Sequence, residues 1–171
     1  TIKKILDKGH KNLGGSLVEK AKEIVSRHTS NVRLNISPHD YDENIEDIGD
    51  YDVLAYLETK NILLNIETKI IDPPHSAKDS GRVQRKIFGE TREDGTFKNG
   101  YLQRVEERAG YLQQNGKELM SKLSWITPLV EPKIVSVFVT KISFWWTKYP
   151  PVETSVNFVE TRMLDDFIKK L

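Results

Sequence analysis

Residues 49–71 read GDYDVLAYLETKNILLNIETKII, two runs rich in β-branched and aromatic residues separated by polar Glu58-Thr59-Lys60-Asn61. The pattern predicts a β-hairpin. With Thr59 and Lys60 as a two-residue turn, Glu58 faces Asn61, and Val53, Ala55 and Leu57 face Ile66, Leu64 and Ile62. The same register sets Asp52 opposite Glu67 and Asp50 opposite Lys69, so one face is wholly apolar and the other carries four ionisable groups at its open end. A slip of one residue would put apolar side chains opposite charged ones, so the pattern itself selects the register.

Two carboxylates facing each other about 5 Å apart repel unless something cationic lies between them. A divalent metal together with Lys69 would supply that charge. Carboxylate oxygens with open positions suit Mg²⁺ or Mn²⁺, which complete their coordination with phosphate oxygens and water. The spacing therefore points to phosphate-cleaving chemistry.

Asp52, then fourteen residues, then Glu67-Thr68-Lys69 on consecutive strands resembles the PD-(D/E)XK nuclease superfamily. That resemblance implies an α/β protein with a restriction-endonuclease-like three-layer core, a mixed central β-sheet flanked by helices. It also implies a Mg²⁺ ion, with Mn²⁺ as substitute, held by Asp52, Glu67 and the main-chain carbonyl of Thr68. Lys69 would orient the attacking water and offset charge on the transition state, and the substrate would be DNA. Asp50 would serve as a second acid or stand in for Asp52. Members of the superfamily often add a glutamate from the first helix, and Gly15-Ser16-Leu17-Val18-Glu19 resembles that pattern, with Glu23 behind Glu19. Many also carry a Gln or Lys on the helix after the Glu-X-Lys strand, where Gln84 matches best. The resemblance extends from about residue 15 to the end of the chain, although its specific motif covers only residues 52–69.

At 171 residues the chain is expected to form one domain with a substantial core. Cysteine is absent, which excludes a disulfide framework, a thiolate zinc site and a cysteine nucleophile, and fits a reducing cytoplasm. No apolar run approaches the ~20 residues of a membrane span, and no signal-peptide pattern opens the sequence. Thr1 in place of Met suggests a domain excised from a larger protein, whose other domains or subunits would be partners. The formal charge is only +1, but its distribution is uneven. Between Arg33 and Lys60 there is no Lys or Arg, whereas Asp40, Asp42, Glu43, Glu46, Asp47, Asp50, Asp52 and Glu58 fall there. Lys78, Arg82, Arg85, Lys86 and Arg92 follow, so an acidic block precedes a basic one, as a metal site beside a phosphate-binding surface requires. His10, His28, His39 and His75 show no metal-ligand spacing.

Ser16 is expected to cap a first helix, with Glu19 completing a capping box and Leu17, Ala21, Ile24 and Val25 as its apolar stripe. Residues 32–36 alternate as a strand, and residues 76–90 read as a helix after Asp72-Pro73-Pro74. From Tyr101 a long helix repeats Leu102, Val105, Ala109 and Leu112, with Arg104, Glu107 and Arg108 on the outside. Gly116 is expected to separate it from a second piece, and these helices to cover the apolar sheet face. Residues 133–140 read as a buried strand, 156–159 as a short last strand and 163–171 as a closing helix. Phe144, Trp145, Trp146 and Tyr149 are expected to seal a core edge or meet another domain. Two functional readings stand: a Mg²⁺-dependent endodeoxyribonuclease hydrolysing phosphodiester bonds, or a catalytically silent nuclease-like fold used for binding or scaffolding.

Overall fold

The computed structural model of the chain describes residues 15–171 apart from 43, 44 and 46. His10 and, within the acidic block, Glu43 and Glu46 lie outside the described residues. The hairpin forms in the register its alternation selects: β2 (Tyr51–Leu57) and β3 (Ile62–Lys69) pair from Val53↔Ile66 to Leu57↔Ile62. The turn is built differently from a two-residue loop. Glu58–Lys60 form one 3₁₀ turn, and Asn61 closes it in the left-handed conformation at φ 52° and ψ 51°. Asparagine tolerates that conformation, and its side chain reaches the carbonyls of Val130 and Glu131 at 3.4 and 3.2 Å. Four residues still separate Leu57 from Ile62, so the register is unchanged.

β1 (Val32–Ile36) pairs antiparallel with β2, while β6 (Lys133–Thr140) runs parallel to β3 and β7 (Asn157–Glu160) parallel to β6. The result is a mixed five-stranded sheet in the order β1-β2-β3-β6-β7. Parallel neighbours require a crossover. Between β3 and β6 it consists of α2 (Ala77–Phe88), the short pair β4 (Glu90–Thr91) and β5 (Phe97–Lys98), and α3 (Tyr101–Lys122). Ser76 caps α2 by accepting the Asp79 N–H at 3.1 Å. β3 is thus the central strand, and seven of its eight residues are buried, Asn65 and Glu67 among them.

Helices cover both faces. Val53, Ala55, Leu57, Ile62, Leu64 and Ile66 pack with Ala21, Ile24 and Val25 of α1 (15–25) and with Leu164 and Ile168 of α5 (Leu164–Lys170). On the other face Leu54, Tyr56 and Leu63 pack with Leu112, Leu119 and Met120 of α3. The long helix therefore covers the face that bears the charges, not the wholly apolar one. That face is charged only at one end; its remaining apolar surface still has to leave water. α3 also runs unbroken through Gly116, where an added Cβ would lie 3.1 Å from Leu63 Cδ1. The glycine lets helix and strand approach closely, and packing on either side outweighs its intrinsic cost of about 1 kcal/mol. Ser16 sits inside α1, which already runs at residue 15, instead of preceding it. Phe144 and Trp146, at the start of α4 (Trp145–Lys148), stack at 4.5 Å and close the core edge, while Trp145 and Tyr149 stay exposed. Among the described residues no helix is long and apolar enough to cross a membrane.

Candidate active site

The β2–β3 ladder stops at Val53↔Ile66, and the predicted facing pairs Asp52/Glu67 and Asp50/Lys69 do not form as ladder partners. Asp52 instead accepts the Thr68 N–H at 2.7 Å and the Thr68 hydroxyl at 3.0 Å, both on Oδ2. Its carboxylate takes the place of the strand carbonyl that β2 no longer supplies. Because the N–H and C=O of one residue in an extended strand point to the same edge, the Thr68 carbonyl also faces the gap beside Asp52. Asp50 precedes β2, is exposed, and uses its main-chain carbonyl to accept from Arg108 Nη1.

Glu67 projects to the α3 face with only 5% of its surface exposed. Lys69 Nζ lies 2.5 Å from Oε1, and Arg108 Nη2 lies 2.5 Å from Oε2. A carboxylate this buried needs such partners, since charge transferred from water without them costs several kcal/mol. Arg108 is not on the outside of α3, as its sequence neighbourhood suggested, but 3% exposed. The signal was present: it follows Val105 by three residues and precedes Leu112 by four, which puts it on the apolar stripe. Tyr51 secures the same turn of α3 by donating its hydroxyl to the Arg108 carbonyl at 3.0 Å. Burial pushes the Tyr51 hydroxyl far up, more than the nearby Arg108 charge lowers it, so it remains a neutral donor.

Lys69 is the most exposed of Glu67's partners, with 29% of its side chain exposed and its ammonium 4.9 Å from the centre of the Tyr101 ring. Burial alone would lower its pKa. The charges of Glu67 and Asp52 and the hydrogen bond to Glu67 outweigh burial and hold it above the usual lysine value, so it is cationic at neutral pH. Asp52, Glu67, Lys69 and Arg108 together balance to zero charge.

β3 ends at Lys69, Pro73 and Pro74 lack the N–H donors that could extend it, and the chain turns into α2 over a cleft of about 570 Å³. Lys69 lines this cleft together with Asp72, Arg82, Lys86 and Tyr101, whereas Asp52 and Glu67 do not. An adjoining cleft of about 330 Å³ shares Arg82, Lys86 and Tyr101 and adds Arg85, Lys98 and Arg104. Arg82, Arg85 and Lys86 of the basic block, joined by Lys98 and Arg104, thus form one wall beside Lys69, whereas Lys78 and Arg92 line neither cleft. Two of the expected residues are not brought here. Gln84 lines a third cleft on another side of α2, and Glu19 is exposed on α1, 3.7 Å from Lys22. Glu23 pairs with Arg27, and His28 with Asp165. Among the described residues no three His, Asp or Glu side chains gather as a metal-ligand cluster. Comparison with protein-family models, curated proteins and solved structures found no match to this chain.

Proposed function

We propose that the chain is a restriction-endonuclease-like domain that hydrolyses phosphodiester bonds of DNA in the cytoplasm with the help of Mg²⁺. The observation carrying this reading is the convergence of Asp52, Glu67 and Lys69 where β2 leaves β3, with Lys69 opening onto a groove walled by Arg82, Arg85, Lys86, Lys98 and Arg104. Asp52 and Glu67 offer carboxylate oxygens of the kind a hard divalent cation takes, and the Thr68 carbonyl faces the gap beside Asp52; an ion there would have to displace Lys69 from Glu67 Oε1. Those three residues would hold the ion, which when bound would polarise the scissile phosphate and lower the pKa of a water molecule. Arg108 keeps one oxygen of Glu67 fixed and neutralised. The other oxygen is held by Lys69, whose ammonium transfers to the phosphate when a phosphodiester enters the cleft. There Lys69 offsets the charge that develops on the transition state.

The test is cleavage of circular DNA, both single-stranded and duplex, with Mg²⁺ or Mn²⁺ by the full chain. Lys69→Ala is expected to reduce the rate by about 10²- to 10³-fold, the usual effect of losing one electrostatic donor, with the melting profile retained. Cleavage at the unaltered rate in that variant refutes the mechanism.

The second reading, a silent binding or scaffolding module, draws support from Glu67, both of whose oxygens already rest on cations. Calorimetric titration with Mn²⁺ separates the two readings, because a scaffold has no need to bind metal at the hairpin.

A further inference from the structure

Three clefts join around α2. The cleft at Lys69 shares Arg82, Lys86 and Tyr101 with the second, which in turn shares Arg85 and Glu90 with a third of about 390 Å³. The surface changes character along this track. Its middle carries Arg82, Arg85, Lys86, Lys98 and Arg104 against the single carboxylate of Glu90, and its far end is walled by Phe88, Phe97, Pro151 and Val152.

Phe97, on β5, is 53% exposed and stands at the far end of the cationic groove. Its pose depends on Gly89. That residue has φ +81°, and a Cβ there would lie 2.4 Å from Phe97 Cζ and 2.7 Å from the Lys98 carbonyl oxygen. Only glycine accepts both the backbone conformation and the ring resting on it. The ring is therefore supported by main chain on one side and left to solvent on the other.

We propose that the Phe97 end of the track is a stacking site for an unpaired base, and that the track from Lys69 to Phe97 receives a single-stranded polynucleotide. This rests on the reading of the Lys69 cleft as a phosphodiester site and narrows its substrate. A duplex keeps the faces of its bases inside its own stack, whereas an unpaired strand offers each face to an aromatic ring. The excess of cations repels a basic partner and draws a polyanion along the groove.

Fluorescence anisotropy of the full chain with a labelled ten-nucleotide oligothymidylate, the matching oligouridylate and a ten-base-pair duplex tests this. EDTA is kept present so that binding is read without cleavage. Both single strands, or one of them, are expected to bind more tightly than the duplex, and the two single-strand arms identify whether DNA or RNA is preferred. Phe97→Ala is expected to weaken single-strand binding about tenfold, in line with the loss of one stacked base. Phe97→Trp is expected to retain binding. Phe97→Leu keeps an apolar contact on Gly89 but removes the π face, so it should bind as weakly as Phe97→Ala if stacking is responsible. Equal affinity of Phe97→Ala and the unaltered chain for both single strands overturns the proposal, as does a duplex that binds as tightly as they do. A chain that shows Phe97-dependent binding but no metal-dependent cleavage supports this site and refutes the nuclease reading alone. Cleavage without any effect of Phe97 does the reverse.

Discussion

The two faces of the central sheet are made by the same hairpin, one residue apart in phase, yet they are closed in opposite ways. Beneath α1 and α5 the hairpin presents Val53, Ala55, Leu57, Ile62, Leu64 and Ile66, and the helices answer with Ala21, Ile24, Val25, Leu164 and Ile168. That face is held by apolar area removed from water. Beneath α3 the β3 residues grade from apolar to charged: Leu63 meets Gly116, Asn65 donates to the Val105 carbonyl at 2.9 Å, Glu67 meets Arg108, and Lys69 lies against Tyr101. A helix can cover a row that ends in a carboxylate only by bringing its own cation, and α3 does so with Arg108. One face is a core; the other is a core that opens into the cleft at Lys69.

That contrast is tested most severely at Arg108. Arg108→Met leaves Glu67 buried with only the half-exposed side's lysine, and urea unfolding is expected to show a loss of about 3–5 kcal/mol. Adding Glu67→Gln should recover much of it, because the isolated charge is then gone. A loss below about 1 kcal/mol would mean that the pair contributes no more than an exposed ion pair, and the distinction between the faces would fail. Leu64→Ala, on the apolar face, is expected to cost about 3 kcal/mol through lost transfer energy and a cavity. Its effect should simply add to that of Arg108→Met, since the two lie on opposite sides of the sheet.

The smallest effect concerns pH and sharpens the comparison. The folded protein holds the Lys69 pKa above its ordinary 10.5. Its contribution to stability is therefore complete below about pH 10.5 and is lost as pH rises through the higher folded value. Urea melts taken into the alkaline range should fall along this limb. Lys69→Met should make it shallower, the remainder coming from Tyr51, whose buried hydroxyl ionises far more readily in the unfolded chain, and Leu64→Ala should leave its slope unchanged while lowering the whole curve.

Much of this architecture can be read from side-chain alternation. The hairpin register, the buried strand at residues 133–140 and the long helix from Tyr101 all follow from periods of two and of about 3.6. The site was only partly legible. Lys69 meets Glu67, two residues away on the same strand, but Asp52 caps the Thr68 N–H instead of facing Glu67 in the ladder. Arg108 escaped because its type argues for the surface while its position argues for the interior, and a buried partner 41 residues away decides between them. Gln84 and Glu19 sit on the expected helices, yet rotation about each helix axis points them elsewhere. Phe97 gains its place from Gly89, whose contact with the ring no local pattern marks.

By itself the sequence determined which residues share a face and where the acids, the lysine and the basic block fall along the chain, because those are local consequences of backbone geometry. Only the tertiary structure decided that α3 covers the charged face, that Arg108 neutralises Glu67 and that three clefts join around α2. Those outcomes depend on which distant element closes over each face, and the physical reason for the choice, burial of every apolar surface with a partner for every buried charge, is satisfied by the whole chain at once.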